Sequence, residues 1–183
     1  MPRTYVVRLM PAGVARVVVV CEAVAMTSFT TPDLSDELGG AARVVAAGFL
    51  DFGGREVFDG PVRTVRCLED NSRVKELLAT PGEGAVLVVD GAGSLTVALL
   101  GDMIAEGAVA QGWAGVVING AVRDVEILRT LDIGVRALGS IPRRSDRQGR
   151  GEVDVPVTIG GARVEPGDHL YADATGILVT TPA

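Results

Sequence analysis

Two carboxylates and a guanidinium stand at a spacing that could do chemistry: Asp102, then twenty residues, then the adjacent pair Arg123-Asp124. Carboxylate oxygens are hard donors suited to Mg2+ or Mn2+. A guanidinium offers a planar donor fork for a carboxylate or a developing enolate oxygen. Asp102 also falls within Gly101-Asp102-Met103-Ile104, where a helix start would leave N–H groups free for a second anionic group. Together these residues could bind a small 2-oxo acid against a divalent cation. Plainer readings remain open: Asp102 as a helix cap, and Arg123-Asp124 as a surface ion pair at a helix start.

Other polar residues read as structure. Gly91-Ala92-Gly93-Ser94 lacks the lysine of a phosphate-binding loop and the third glycine of a dinucleotide fingerprint. No S-adenosylmethionine-binding loop followed by an acidic ribose contact is evident. His169 is the only histidine, and no Ser or Cys nucleophile motif accompanies it, so it reads as structural. Asp168 and Asp173 read as turn residues. Arg143, Arg144, Arg147 and Arg150, broken by Asp146 and followed by Glu152, read as a solvated loop, with an anionic partner as the minority reading.

The elements that must position the candidate site follow from periodicity. Thr30 or Thr31 before Pro32-Asp33 marks a helix start, closed by Gly39-Gly40. Residues 57–67 read as strands about a turn at Gly60-Pro61. Residues 71–80 read as a helix with Val74, Leu77 and Leu78 on one face. Residues 85–89 and 115–118 are continuous apolar runs, as strands buried on both faces require. Between them Leu100, Met103, Ile104 and Ala108 keep helical spacing. Residues 123–131 read as a helix and residues 134–138 as a third strand. This alternation implies parallel strands with right-handed crossovers, and ligands bind beyond the carboxyl ends of such strands. After Gly151 the chain reads as short strands at 153–159, 162–164, 169–172 and 176–180, separated by Gly-Gly and Pro-Gly turns.

Composition narrows the function classes. A length of 183 residues suggests one domain. With 48% hydrophobic but only 4% aromatic residues, the core must be built from Val, Leu, Ile and Ala. A net charge of −6 argues against direct nucleic-acid binding. Cys21 and Cys67 support no disulfide framework or metal-ligand spacing, in keeping with a cytoplasmic protein. Residues 1–25 loosely resemble a signal peptide, but Arg16 and Glu22 interrupt them, and Val17–Cys21 is too short for a membrane span. They are expected to be an extension outside a single domain at 26–183, with an additional strand as the alternative.

Several segments together resemble one family: Phe52-Gly53-Gly54-Arg55, Thr64-Val65-Arg66-Cys67, Glu69-Asp70-Asn71, Val88-Val89-Asp90-Gly91-Ala92-Gly93-Ser94, Gly120-Ala121-Val122-Arg123-Asp124, Leu131-Asp132-Ile133-Gly134 and Pro166-Gly167-Asp168-His169-Leu170-Tyr171-Ala172-Asp173. With the Asp102-to-Arg123-Asp124 spacing, they resemble the RraA-like family and its metal-dependent 4-hydroxy-4-methyl-2-oxoglutarate aldolases over residues 28–180. The resemblance implies an α/β fold, the swivelling β/β/α domain, and a homotrimer or dimer of trimers. It implies pyruvate held by Arg123 and by backbone amides of Gly101, Asp102, Met103 and Ile104. It implies a divalent cation, Mg2+ or Mn2+, bound directly by Asp124 and through water by Asp102. The implied activity is aldol cleavage with oxaloacetate decarboxylation, catalysed through Arg123 and Asp102 and releasing pyruvate. Regulators in this family share the fold and bind ribonuclease E, but lack an acid beside the arginine; Asp124 favours the enzyme. The dedicated aldolases carry a longer C-terminal region that lends an acid to a neighbouring subunit, a feature not matched after Gly176-Ile177-Leu178-Val179.

Overall fold

The computed structural model describes residues 29–46 and 48–182. The extension expected at residues 1–25, and Cys21 within it, lie outside the described residues.

Helix α1 (Thr31–Leu38) begins as its sequence demands. The Thr30 hydroxyl accepts a hydrogen bond from the Asp33 N–H, and Pro32 occupies the first turn. A 3-10 turn at Gly39–Ala41 leads into β1 (Ala42–Val45), β2 (Leu50–Asp51) and β3 (Phe58–Arg66). Next come α2 (Ser72–Leu78), β4 (Val86–Asp90), β5 (Ala98–Leu100), α3 (Asp102–Ala110), β6 (Gly115–Val122), α4 (Val125–Leu128) and β7 (Gly134–Ser140). The last segment carries β8 (Glu152–Val153), β9 (Val157–Ile159), β10 (Ala162–Val164), β11 (His169–Ala172) and β12 (Ile177–Thr180).

The main sheet runs β1-β12-β11-β3-β4-β6-β7-β2, with β3, β4, β6 and β7 parallel to their neighbours at its centre. Alternate residues of the central strands feed two cores. Leu87, Val89, Val116 and Ile118 pack with Val74 and Leu78 of α2 and with Ala105 and Ala108 of α3. Val86, Val88 and Val117 face the other way, onto Val157, Ile159, Val164, Leu170 and Val179. One face of the sheet is thus covered by helices and the other by strands. That is the β/β/α layering implied by the family resemblance, and it explains why residues 86–89 are fully buried.

Four local expectations are corrected. Gly60-Pro61 is not a turn but lies inside the continuous strand β3. There the partner changes: Phe58 to Pro61 pair antiparallel with β11, and Val62 to Arg66 pair parallel with β4. Gly60 is required because a Cβ would come within 2.1 Å of the Gly84 carbonyl oxygen. Residues 98–100 form a strand, not the start of the following helix. The spacing of Leu100, Met103 and Ile104 imitates a helical face, yet Leu100 is buried on β5 while Met103 is 80% exposed. The helix expected over 123–131 shrinks to α4, because the Arg123 N–H still bonds the Leu100 carbonyl at the sheet edge. The strand expected over 153–159 divides into β8 and β9, with Asp154 in a left-handed conformation between them (φ 54°).

Candidate active site

The site forms where β5 and β6 end side by side. Ala98 pairs with Ala121 and Leu100 with Val122, in parallel, so the residues following each strand emerge together. After β5 comes Gly101 and the start of α3; after β6 comes Arg123-Asp124. The twenty-residue separation seen in the sequence is one crossover through α3 and back along β6.

Asp124 takes a left-handed backbone conformation (φ 55°, ψ 40°), which aspartate tolerates better than most residues. This turn brings its carboxylate back toward α3. Its Oδ2 accepts a 2.9 Å bond from Arg123 Nε and a long 3.4 Å bond from the Asp102 N–H. Gly101 makes the approach possible: a Cβ there would lie 2.6 Å from Asp124 Oδ2 and 3.1 Å from Arg123 Nε. Gly101 is the extended N-cap of α3 and supplies no side-chain cap. Asp102 Oδ1 accepts from the Met103 N–H at 2.7 Å, so part of the capping reading holds, while Oδ2 has no hydrogen-bond partner among the described residues. The Arg123 and Asp124 side chains are 35% and 30% exposed, more enclosed than a free surface pair. Arg123 spends only Nε on Asp124, which leaves its two terminal amines without a protein partner among the described residues.

These groups border a pocket of about 440 Å³. Its lining includes Asp102, Ile104 and Arg123 together with Asn71, Ser145 and Arg147. Met103 also lines the pocket, and its side chain is largely exposed. Asp124 sits behind Arg123, against Gly101. The structure therefore brings together all six residues singled out at 101–104 and 123–124.

Asn71, Ser145 and Arg147 were not assigned to the site from the sequence. Arg144 and Arg147 line this pocket, whereas Arg143 and Arg150 do not. The arginines of the cluster are exposed, as the solvated-loop reading required. The signal lay in the cluster itself, but only the fold shows that residues 141–147 run beside β5 and β6, with Ala98 N–H bonded to the Arg143 carbonyl and Ile141 N–H to that of Val122.

The remaining candidates are structural. His169 Nε2 lies 2.8 Å from Asp59 across the β11–β3 pair. Asp168 pairs with Arg43 at 2.8 Å, and Asp173 accepts bonds from the Thr31 N–H and hydroxyl and from the Thr175 and Gly176 N–H groups. The Gly91–Ser94 turn is closed by Asp90 and by Glu69, which accepts from the Ser94 and Thr96 hydroxyls. Cys67 is buried, and burial, reinforced by the charges of Asp70 and Asp90, pushes its thiol up to about 12. A thiol so protonated is no nucleophile at neutral pH.

No group of three or more His, Cys, Asp or Glu side chains is placed to hold a metal among the described residues. The site instead offers two carboxylates, Asp102 and Asp124. That donor set fits Mg2+ or Mn2+, since Mg2+ keeps several waters and commonly takes one or two protein carboxylates. It does not fit a closed zinc site of four nitrogen or sulfur ligands.

The family model described as RraA-like, Aldolase/RraA, matches residues 31–179. This chain belongs to the RraA-like family. A relative from Xanthomonas campestris pv. campestris (strain 8004), named "Putative 4-hydroxy-4-methyl-2-oxoglutarate aldolase", is 57% identical over 152 residues, covering 83% of this chain and 91% of the relative. A relative of the same name from Ectopseudomonas mendocina (strain ymp) is 51% identical, covering 85% and 96%. Among solved structures, the RNA-processing inhibitor RraA from Thermus thermophilis superposes with a TM-score of 0.82 at 48% identity, over 85% of this chain and 95% of that one. A Geobacillus kaustophilus protein named S-adenosylmethionine:2-dimethylmenaquinone methyltransferase gives 0.83 at 44% identity, over 85% and 96%. The RraA-like fold is thus shared over nearly the whole length of both solved proteins.

Proposed function

We propose that this chain is a divalent-metal-dependent lyase that cleaves 4-hydroxy-4-methyl-2-oxoglutarate and decarboxylates oxaloacetate, releasing pyruvate from both. The observation that carries this reading is Arg123, whose two terminal amines have no partner among the described residues, beside the start of α3, where the N-cap Gly101 supplies no side-chain cap, on one pocket wall. Such a wall binds the 1-carboxylate of a 2-oxo acid, with backbone N–H groups and guanidinium sharing its oxygens. Relatives bearing the aldolase name are of similar length, which supports the same activity in a chain of this size.

Asp124 would hold the cation directly and Asp102 through water, and a cation held there would polarise the 2-keto oxygen. Arg123 keeps the substrate in one orientation. When the bond beyond C3 breaks, its electron pair moves into a pyruvate enolate. Oxaloacetate loses CO2 in this step; the aldol substrate also gives up its C4 hydroxyl proton to water, and the fragment beyond C3 leaves as a second pyruvate. Arg123 stabilises the enolate oxygen, an interaction stronger in the transition state than in the ground state. A proton returned to C3 completes pyruvate. The test is pyruvate release from 4-hydroxy-4-methyl-2-oxoglutarate by the purified chain with Mg2+. Turnover is expected, and its absence at high protein concentration would overturn the aldolase activity.

The likeness to the Thermus inhibitor supports a second reading, a regulator that binds ribonuclease E. It predicts co-purification with that nuclease regardless of substitutions at Arg123. In either role we expect a cytoplasmic homotrimer or dimer of trimers.

A further inference from the structure

The strands that meet at the site do so through an irregularity in β6. Up to Asn119, β6 pairs on one side with β4; from Ala121 onward its partner on that side is β5. Along the other side, the pairs with β7 run Ile118–Ala137 and then Ala121–Gly139. From 118 to 121 β6 advances three residues, while from 137 to 139 β7 advances two. Asn119 and Gly120 therefore stand opposite Leu138 alone. This is a β-bulge, a feature that bends its strand and that recurs beside active sites, where it re-aims side chains. Arg123 and Asp124 follow directly on the strand it bends.

Asn119 ties this bulge to the turn between β4 and β5. Its carbonyl accepts from the Gly91 N–H at 3.1 Å and from the Gly93 N–H at 3.0 Å. Its Nδ2 donates to Asp90 Oδ1 at 3.0 Å, and the same oxygen accepts from the Ala92 N–H at 3.0 Å. Four consecutive residues of the turn are thus clasped, directly or through Asp90, to one residue of β6. Leu99 of β5 packs over the clasp: a Cβ on Gly91 would lie 2.6 Å from Leu99 Cδ1 and 2.8 Å from the Asn119 carbonyl oxygen. β5 then ends at Leu100, whose carbonyl accepts from the Arg123 N–H at 2.9 Å. The level at which β5 lies against β6 sets the gap between Gly101 and Asp124.

We propose that Asn119 is a positioning residue for the site: by clasping the Asp90–Gly93 turn to the bulge, its side chain fixes β5 against β6 and so places Arg123 and Asp124 against the start of α3. The inference rests on the reading of Arg123 and α3 as the subsite for the 1-carboxylate. Asn119 does not line the pocket, so it acts only through the residues that do. The amide is needed as a donor to the Asp90 carboxylate. Alanine at 119 leaves Asp90 with one donor fewer and loosens the turn. Aspartate at 119 sets two carboxylates at hydrogen-bond distance, where they repel. Misplacement by about 1 Å in a reacting geometry costs on the order of 100-fold in rate. Loss of the side-chain clasp with the backbone bonds kept is a smaller displacement, of about tenfold effect.

The test compares the parent with Asn119→Ala, Asn119→Asp and the exchange Asp90→Asn with Asn119→Asp, which restores one donor and one acceptor with their places reversed. Oxaloacetate turnover and pyruvate binding by calorimetry, both with Mg2+, are measured at a temperature where thermal unfolding shows each variant folded. Each single substitution at Asn119 is expected to lower kcat by about tenfold and to weaken pyruvate binding, and the exchange to recover most of both. Parental kcat and pyruvate affinity in Asn119→Ala, with only the melting temperature lowered, would reduce the clasp to a structural bond and overturn the proposal. An exchange variant no better than Asn119→Asp would overturn it as well, and that comparison decides alone if Asn119→Ala does not fold. Turnover by the parent separates the two claims. Turnover that neither substitution lowers removes the positioning role and leaves the lyase. Pyruvate affinity lost in the single variants and regained in the exchange, without turnover by the parent, leaves the positioning role and removes the lyase.

Discussion

Arg123 is where a structural and a chemical role make opposite predictions. As a half-exposed ion pair with Asp124 it would contribute about 0–1 kcal/mol, and Arg123→Lys would be nearly silent. As the group that grips substrate and enolate, it needs the planar fork that lysine lacks. We expect Arg123→Lys to lower oxaloacetate turnover by on the order of 100-fold or more with an unchanged melting temperature, measured by steady-state kinetics beside thermal unfolding. Gly101→Ala should be similarly damaging, because the new methyl would occupy the space of the Asp124 carboxylate. The types and spacing of Asp102, Arg123 and Asp124 were legible in the sequence because each carries its chemistry in its side chain. Ser145 was not, since a serine earns notice only when its hydroxyl is seen buried and unpartnered. Asp70 stands out in the sequence only as part of a family segment, and its anchoring of residues 148–150 is visible only in the fold. Burial pushes the Asp70 carboxyl up, but hydrogen bonds from Ser72, Gln148 and Arg150 outweigh this and hold it at about 2, below its ordinary 3.8. A depressed folded pKa stabilises the fold above the unfolded value, and that contribution is lost as pH falls from about 4 toward 2. Asp70→Asn should therefore flatten the stability profile over that window in acid titrations of unfolding.

Among the elements, the long buried strands announced themselves and the short edges did not. β4 and β6 are continuous apolar runs because both faces are covered. β5 has three residues, too few to display a period, and Leu100 happens to lie at helical spacing from Ile104. Yet β5 is what delivers Gly101 and α3 to the site, so the missed strand explains why the exposed Met103 was read as part of a buried face. β3 shows the converse: Gly60-Pro61 carries a turn signature, but the chain continues straight because the change of partner from β11 to β4 accommodates both residues. Gly60→Ala would force a methyl against the Gly84 carbonyl. We expect it to destabilise the fold by about 1–3 kcal/mol, as overpacking does, read as a lower denaturant midpoint with an unchanged slope.

On the scale of the whole molecule, β/β/α layering leaves one end of the central sheet open between α3 and the segment after β7, and the candidate site occupies that end. Large apolar side chains remain exposed on this chain, including Met103 beside the site and Val44 and Leu50 elsewhere. Sedimentation at micromolar concentration should give a trimer or its dimer, and deletion of residues 1–25 should change neither assembly nor turnover. The account stands most directly on one measurement: pyruvate released from oxaloacetate by the purified chain with added Mg2+ or with a chelator, each corrected for a protein-free control, for the parent and for Asp124→Ala. Turnover by the parent that needs Mg2+, is abolished by chelation and is lost in the folded variant is the predicted result. Equal turnover by the variant, or turnover indifferent to the chelator, would contradict the assignment of Asp124 and the lyase built upon it.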